Sequence, residues 1–163
     1  MRILGLDPGS RHTGYGVLEK RGSDIVALAF GRISCPRGQG LAERVTHLSL
    51  ELDRILDEHE PERAALETPF LGLNARSLIV LAQARGALLA SLGRHHVAIS
   101  EYSPAEVKSA VTGNGRADKE QVAKMVGMIL SLGGNVGSHD ATDALAVAVC
   151  CAQRQRFEAL TER

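Results

Sequence analysis

The sequence predicts an α/β domain on a five-stranded mixed sheet flanked by helices, antiparallel through strands one to three and parallel in strands four and five. Three observations carry this. Short apolar runs alternate with longer stretches of helical periodicity. The opening MRILGLDPGSRHTGYG reads as a strand, a Pro-Gly turn and a returning strand. The run RAALE follows an amphipathic helix, so it enters the sheet by a right-handed crossover, parallel to an earlier strand.

At 163 residues the chain has the length of one domain with a real core, and residues 1–163 are read as one unit. A formal net charge of zero gives no global sign of a nucleic-acid partner, so local charge must be read instead. No charged leader with a signal-length apolar stretch is found, and no segment reads as membrane-spanning, which leads to an expectation of a cytoplasmic protein. The three Cys are odd in number and lack metal-like spacing, which argues against a disulfide framework and a zinc site. Cys150 and Cys151 read as small buried hydrophobes on a helix.

In the opening hairpin, Ile3, Leu4 and Leu6 form the buried strand, Asp7 stands where burial should end, and residues 13–18 return. Asp before Pro-Gly is also an ordinary turn residue. Residues 24–33 read as a third strand. Over 41–59, Leu41, Val45, Leu48, Leu52, Ile55 and Leu56 share a helical face opposite an acidic one, and Pro61 ends the helix. Residues 63–67 form the fourth strand and end at Glu67. Asn74 caps a helix to about residue 92 that is apolar around nearly its whole circumference. Such a helix needs cover on two sides, and a second copy of the chain is the expected second cover, with another helix of the same chain as the alternative. Residues 97–102 are the fifth strand. Ser103 and Glu106 open a short helix to about residue 110. A Gly-rich loop over 111–117 carries Arg116. Asp118 and Gln121 form a capping box for a helix to about residue 132, with Lys119 in its first turn, which reads equally as a solvated Lys or as a phosphate site beside exposed backbone N–H groups. Ser138 caps the last helix, and the polar tail after about residue 153 is expected to fray.

Four carboxylates thus stand at element ends: Asp7, Glu67, Asp140 and Asp143. Asp140 and Asp143, spaced i, i+3, project from one face of a first turn. Asp at a helix start is favoured by the dipole alone, but that accounts for one such residue better than for two on one face. His139 adjoins them and reads more simply as a surface residue. Carboxylates suit hard, oxygen-preferring divalent cations, and two such ions about 3.5–4 Å apart can clamp an in-line phosphoryl displacement.

LGLDPGSRHTGYGV, LET-PF, QARG and HDATDALA, in this order, resemble the RuvC family of Holliday-junction resolvases across nearly the whole chain. The resemblance implies an RNase H-like fold, a homodimer, and symmetric paired nicks across a four-way DNA junction that leave 5′-phosphate ends in recombination and repair. It implies metal binding by Asp7, Glu67, Asp140 and Asp143, with Mg²⁺, or Mn²⁺, as two ions per site. It also implies a junction-facing aromatic at Phe70 and basic contacts at Lys108 and Lys119. Lys119 is further assigned to the scissile phosphate as a catalytic residue. Arg76 and Arg116 extend a basic stretch over 76–124 toward DNA. RuvA and RuvB are the implied protein partners.

Two other readings are open on the residues. An apolar strand followed by Asp-x-Gly at a hairpin also opens the phosphate loop of actin, Hsp70 and sugar-kinase ATP-binding proteins, although 163 residues are few for their paired domains. A nuclease of the same fold acting on another nucleic acid is the second.

Overall fold

The structure, a computed structural model, describes residues 1–68, 74–133 and 137–161. The elements run β1 (Arg2–Asp7), β2 (His12–Arg21), β3 (Asp24–Ser34), α1 (Leu41–His59), β4 (Arg63–Glu67), α2 (Ala75–Arg94), β5 (Ala98–Tyr102), α3 (Pro104–Thr112), α4 (Lys119–Ile129) and α5 (His139–Thr161). The sheet order is β3-β2-β1-β4-β5, with β1–β2 and β2–β3 antiparallel and β1–β4 and β4–β5 parallel. This is the expected mixed sheet, and it makes the first and fourth strands neighbours.

The period-2 alternation of the strands splits the core in two. Ile3, Leu18 and Ala65 face one side, where they pack with Val107, Val126 and the apolar run of α5 from Leu145 to Ala152. Leu4, Leu6, Val17, Ala64 and Leu66 face the other side and meet Leu48, Leu52 and Leu56 of α1 and Ala84, Leu88 and Leu92 of α2. Cys150 and Cys151 are fully buried within the first of these layers and form no disulfide.

Helix α5 lies on a bed of glycines. A Cβ on Gly5 would meet the Ala144 carbonyl oxygen at 1.9 Å, one on Gly14 would meet the Asp140 carbonyl oxygen at 1.9 Å, and one on Gly16 would meet Leu145 Cδ2 at 2.6 Å. Gly5 pairs with Gly16 across the hairpin, and Gly14 pairs with Asp7. Directly opposed residues of an antiparallel pair share a face, so the bare patch and Asp7 lie on the side that α5 covers.

The sequence expectation for α3 is corrected. Val111 and Thr112 belong to the helix and not to the loop, because Val111 is buried in the core and the Thr112 hydroxyl donates back to the Lys108 carbonyl at 2.8 Å. The turn falls at Gly113, whose φ of 76° suits a residue without a Cβ. The backbone of α5 continues helical to Thr161.

Helix α2 also needs correction. Its 20 residues are long and apolar enough to cross a membrane on length and composition alone, although no such segment was expected. One face is held by α1: Ser49 and Ser91 hydroxyls bond at 2.7 Å, and Arg94 pairs with Asp53 at 2.8 Å. The opposite face, with Ile79 at 60% exposure and with Ala82, Gln83, Gly86 and Ala90, is open in the single chain.

Candidate active site

The last residue pair joining β1 to β4 is Leu6 and Leu66, so Asp7 and Glu67 each follow it at the carboxyl ends of adjacent parallel strands. In open sheets of this kind, ligands gather beyond such ends. Alternation places both side chains on the face of Gly5 and Ala65, under α5. The Ser138 hydroxyl accepts from the Ala141 amide at 3.3 Å and starts α5 above Gly14. Asp140 and Asp143 thereby come down beside Asp7.

The electrostatics record this convergence. The Asp7 carboxyl is pushed up to about 7, first by burial and then by Asp143, Asp140 and Glu67 in turn, with Lys119 opposing. Glu67 is raised by burial and by Asp143, against Lys108 and Lys119. Asp143 is raised by burial, with Asp140 adding to the rise and Lys119 and His139 opposing it. Four carboxylates in a partly dry site repel one another, and the cations around them do not cancel that repulsion.

Those cations are few and loosely held. Lys119 Nζ lies 3.8 Å from Asp143 Oδ2, and its side chain is 80% exposed. Arg32 Nη1 lies 3.6 Å from Asp140 Oδ2. Both distances exceed those of a strong charge-assisted bond, and the Lys119 ammonium is free to swing toward another anion. Lys108 is close enough to Glu67 to lower its pKa. Among the described contacts, the Arg76 and Arg116 side chains join none of the four carboxylates; the Arg116 amide donates to Asn114 Oδ1 in the loop before α4. Phe70 lies outside the described residues.

A cavity of about 240 Å³ opens beside Asp7, Pro8, Glu67 and Thr68, walled by Leu78, Leu81, Ala82 and Arg85 of α2. Arg85 itself is buried. It donates to the Glu67 carbonyl at 2.9 Å and to a carboxylate oxygen of Glu101 on β5.

The donor set fits hard divalent cations: four carboxylates, no thiol, and a raised Asp7 that an added positive charge would return to its ionised form. Among the described residues, no three His, Cys, Asp or Glu side chains are yet gathered tightly enough to hold an ion as they stand. Two features escaped the sequence reading. Arg32 was not singled out, because a register through two hairpins decides which β3 residue faces Asp140. The glycine bed was not recognised either, although Gly5, Gly14 and Gly16, at odd and even positions of two apolar strands, could have signalled a close backbone approach.

A mixed five-stranded sheet with acidic residues at the ends of its central strands, and a terminal helix bringing two more, is the arrangement of a nuclease of RNase H-like fold. The chain belongs to the family of crossover junction endodeoxyribonuclease RuvC, whose family model matches residues 3–151. RuvC of Chlorobium phaeobacteroides is 47% identical over 150 residues, covering 92% of this chain and 80% of that protein. RuvC of Neisseria meningitidis serogroup A is 44% identical over 154 residues, covering 94% and 86%. Among solved structures, Thermus thermophilus RuvC in complex with Holliday junction substrate superposes with a TM-score of 0.92 at 31% identity, covering 97% of this chain and 96% of that one. The yeast mitochondrial Holliday junction resolvase Ydc2 shares the fold at a TM-score of 0.70 and 14% identity, covering 94% of this chain and 78% of that one. This membership decides against the ATP-binding alternative.

Proposed function

We propose that this chain resolves Holliday junctions by metal-dependent hydrolysis of one phosphodiester per protomer, with Asp7, Glu67, Asp140 and Asp143 holding the metal. The observation that carries this reading is the convergence of Asp140 and Asp143 on Asp7 and Glu67 at the carboxyl ends of adjacent strands, where their mutual repulsion favours a bound cation. Divalent ions, Mg²⁺ first and Mn²⁺ as a substitute, supply an activated water and neutralise the charge on the leaving oxygen when bound. Asp7, whose charge is coupled to all three partners, would be central to holding them. Glu67, Asp140 and Asp143 complete the set.

The chain's own cations handle the phosphate. Lys119, exposed and paired weakly with Asp143, can leave that partner for a non-bridging phosphate oxygen. Lys108, beside Glu67, extends the positive rim, and Arg76, Arg116 and Phe70 are assigned to more distant DNA. In the reaction a water oxygen bonds to phosphorus and the bond to the 3′-oxygen breaks. The departing oxygen takes up a proton, leaving a 5′-phosphate and a 3′-hydroxyl.

A four-way junction has two like strands to cut, so two sites must work together. The open face of α2 supplies the means, since a second copy laid along Ile79, Ala82, Gly86 and Ala90 would bury the apolar flank that the single chain leaves bare. RuvA and RuvB are the expected partners by family, acting in the cytoplasm. Incubation with a synthetic four-way junction and a linear duplex, with Mg²⁺ or chelator, tests the reading. Paired nicks in the junction alone, with Mg²⁺ alone, are expected; equal cutting of the linear duplex overturns it.

A further inference from the structure

We infer that Arg85 is a positioning residue for Glu67, braced in turn by Glu101, and that this brace fixes the affinity of the site for divalent cations. The inference rests on the metal-binding reading above. On β4, Tyr102 of β5 still pairs with Glu67, and the Tyr102 carbonyl accepts from the Thr68 amide at 2.8 Å, but β1 pairs no further than Leu66, so the Glu67 carbonyl is left for Arg85 to hold. The Glu67 side chain turns toward α5, while its carbonyl is gripped from the opposite face by Arg85 Nη1 at 2.9 Å. The other arm of the guanidinium, Nη2, donates to Glu101 Oε1, and Glu101 is the register partner of Leu66 on β5. The Arg85 side chain is only 9% exposed, whereas Glu101 is half exposed. A buried planar fork with two fixed acceptors on neighbouring strands has little freedom, so it sets the backbone from which the Glu67 carboxylate projects. Arg85 is also flanked by Gly86, on the outer face of α2, so anything that shifts this helix moves the grip on Glu67.

The test titrates the DNA-free chain with Mg²⁺, following backbone amide resonances near Asp7 and Glu67, and in parallel measures the Mg²⁺ needed for half-maximal nicking of a junction. Arg85→Gln is expected to raise both midpoints ~10-fold, the usual cost of losing a group that orients a ligand. Arg85→Lys, which can serve one acceptor but not both, should recover part of the loss. Glu101→Gln should shift the midpoints in the same direction by less, with junction affinity in Ca²⁺ little changed. Wild-type midpoints in folded Arg85→Gln, or in Glu101→Gln if the first variant does not fold, overturn the brace. Asp7→Asn separates the two levels. If it loses Mg²⁺ binding while Arg85→Gln keeps it, only the brace is wrong; if Asp7→Asn binds as wild type, the metal reading falls and the brace with it.

Discussion

Asp7 concentrates the chemistry, and its protonation gives a signed expectation. Because its carboxyl is raised to about 7 in the folded, metal-free chain, the folded state keeps a proton there that the unfolded state has released. The stability that Asp7 contributes is therefore fully present below the ordinary carboxylate range and lost as pH rises through about 7. In chelator, wild type should lose stability relative to Asp7→Asn over that window, by on the order of a few kcal/mol, read as converging and then crossing melting temperatures. Mg²⁺ should restore the wild type and do little for the variant. Asp7→Asn should also abolish nicking while binding the junction, as gel shift in Ca²⁺ would show; retained nicking in Mg²⁺ would remove Asp7 from the site. Lys119 makes a different statement. Its ion pair is with Asp143 at 3.8 Å and it is mostly in water, so Lys119→Ala should cost little stability. It should slow cleavage and flatten the dependence of log affinity on log salt by about one unit of slope.

At the level of the element, the hairpin, the terminus of β4 and the first turn of α5 could each be read from the chain. Asp7 follows Leu6 and precedes Pro-Gly, so burial and turn chemistry coincide on one residue. Glu67 ends RAALE before Thr-Pro, and Asp140 and Asp143 are brought onto one face by helical spacing. What could not be read is what depends on the other side of a contact. Val111 looked like the start of a Gly-rich loop because its local neighbours are Thr112 and Gly113, yet burial in the core draws it into α3. Arg32 needs the register of β2 with β3, which includes an irregularity at Val17 and Leu18, before its pairing with Asp140 can be known. Gly14 shows how tightly these elements meet. Gly14→Ala would set a methyl 1.9 Å from the Asp140 carbonyl oxygen, a backbone atom that cannot swing aside. The expected result is a loss of about 1–3 kcal/mol in urea unfolding, with cleavage reduced beyond the change in folded fraction because both aspartates move.

For the whole molecule, the sheet order joins two kinds of work. β1 and β4 at the centre carry the acidic ends, while α1 and α2 cover one face and α3, α4 and α5 the other. Helix α2 was legible as an element needing two covers; which side the chain itself supplies was not, and the structure shows α1 taking only one. Sedimentation at micromolar concentration should therefore give a dimer, and Gly86→Glu, on the open flank, should give a monomer that has lost paired nicking more than junction affinity. A wild-type monomer would leave the bare flank of α2 without its second copy.

The seat of α5 on Gly5, Gly14 and Gly16 has one more consequence. At Gly5 and Gly14 main chain rests on main chain, with no side chain between to adapt or shuffle rotamers, while at Gly16 the contact is the Leu145 side chain. The aim of Asp140 and Asp143 is thus inherited from the path of the polypeptide, much as a hinge pin is set by its frame. Exchanges among the leucines and valines deeper in the core can alter how firmly the chain holds together while leaving that aim untouched.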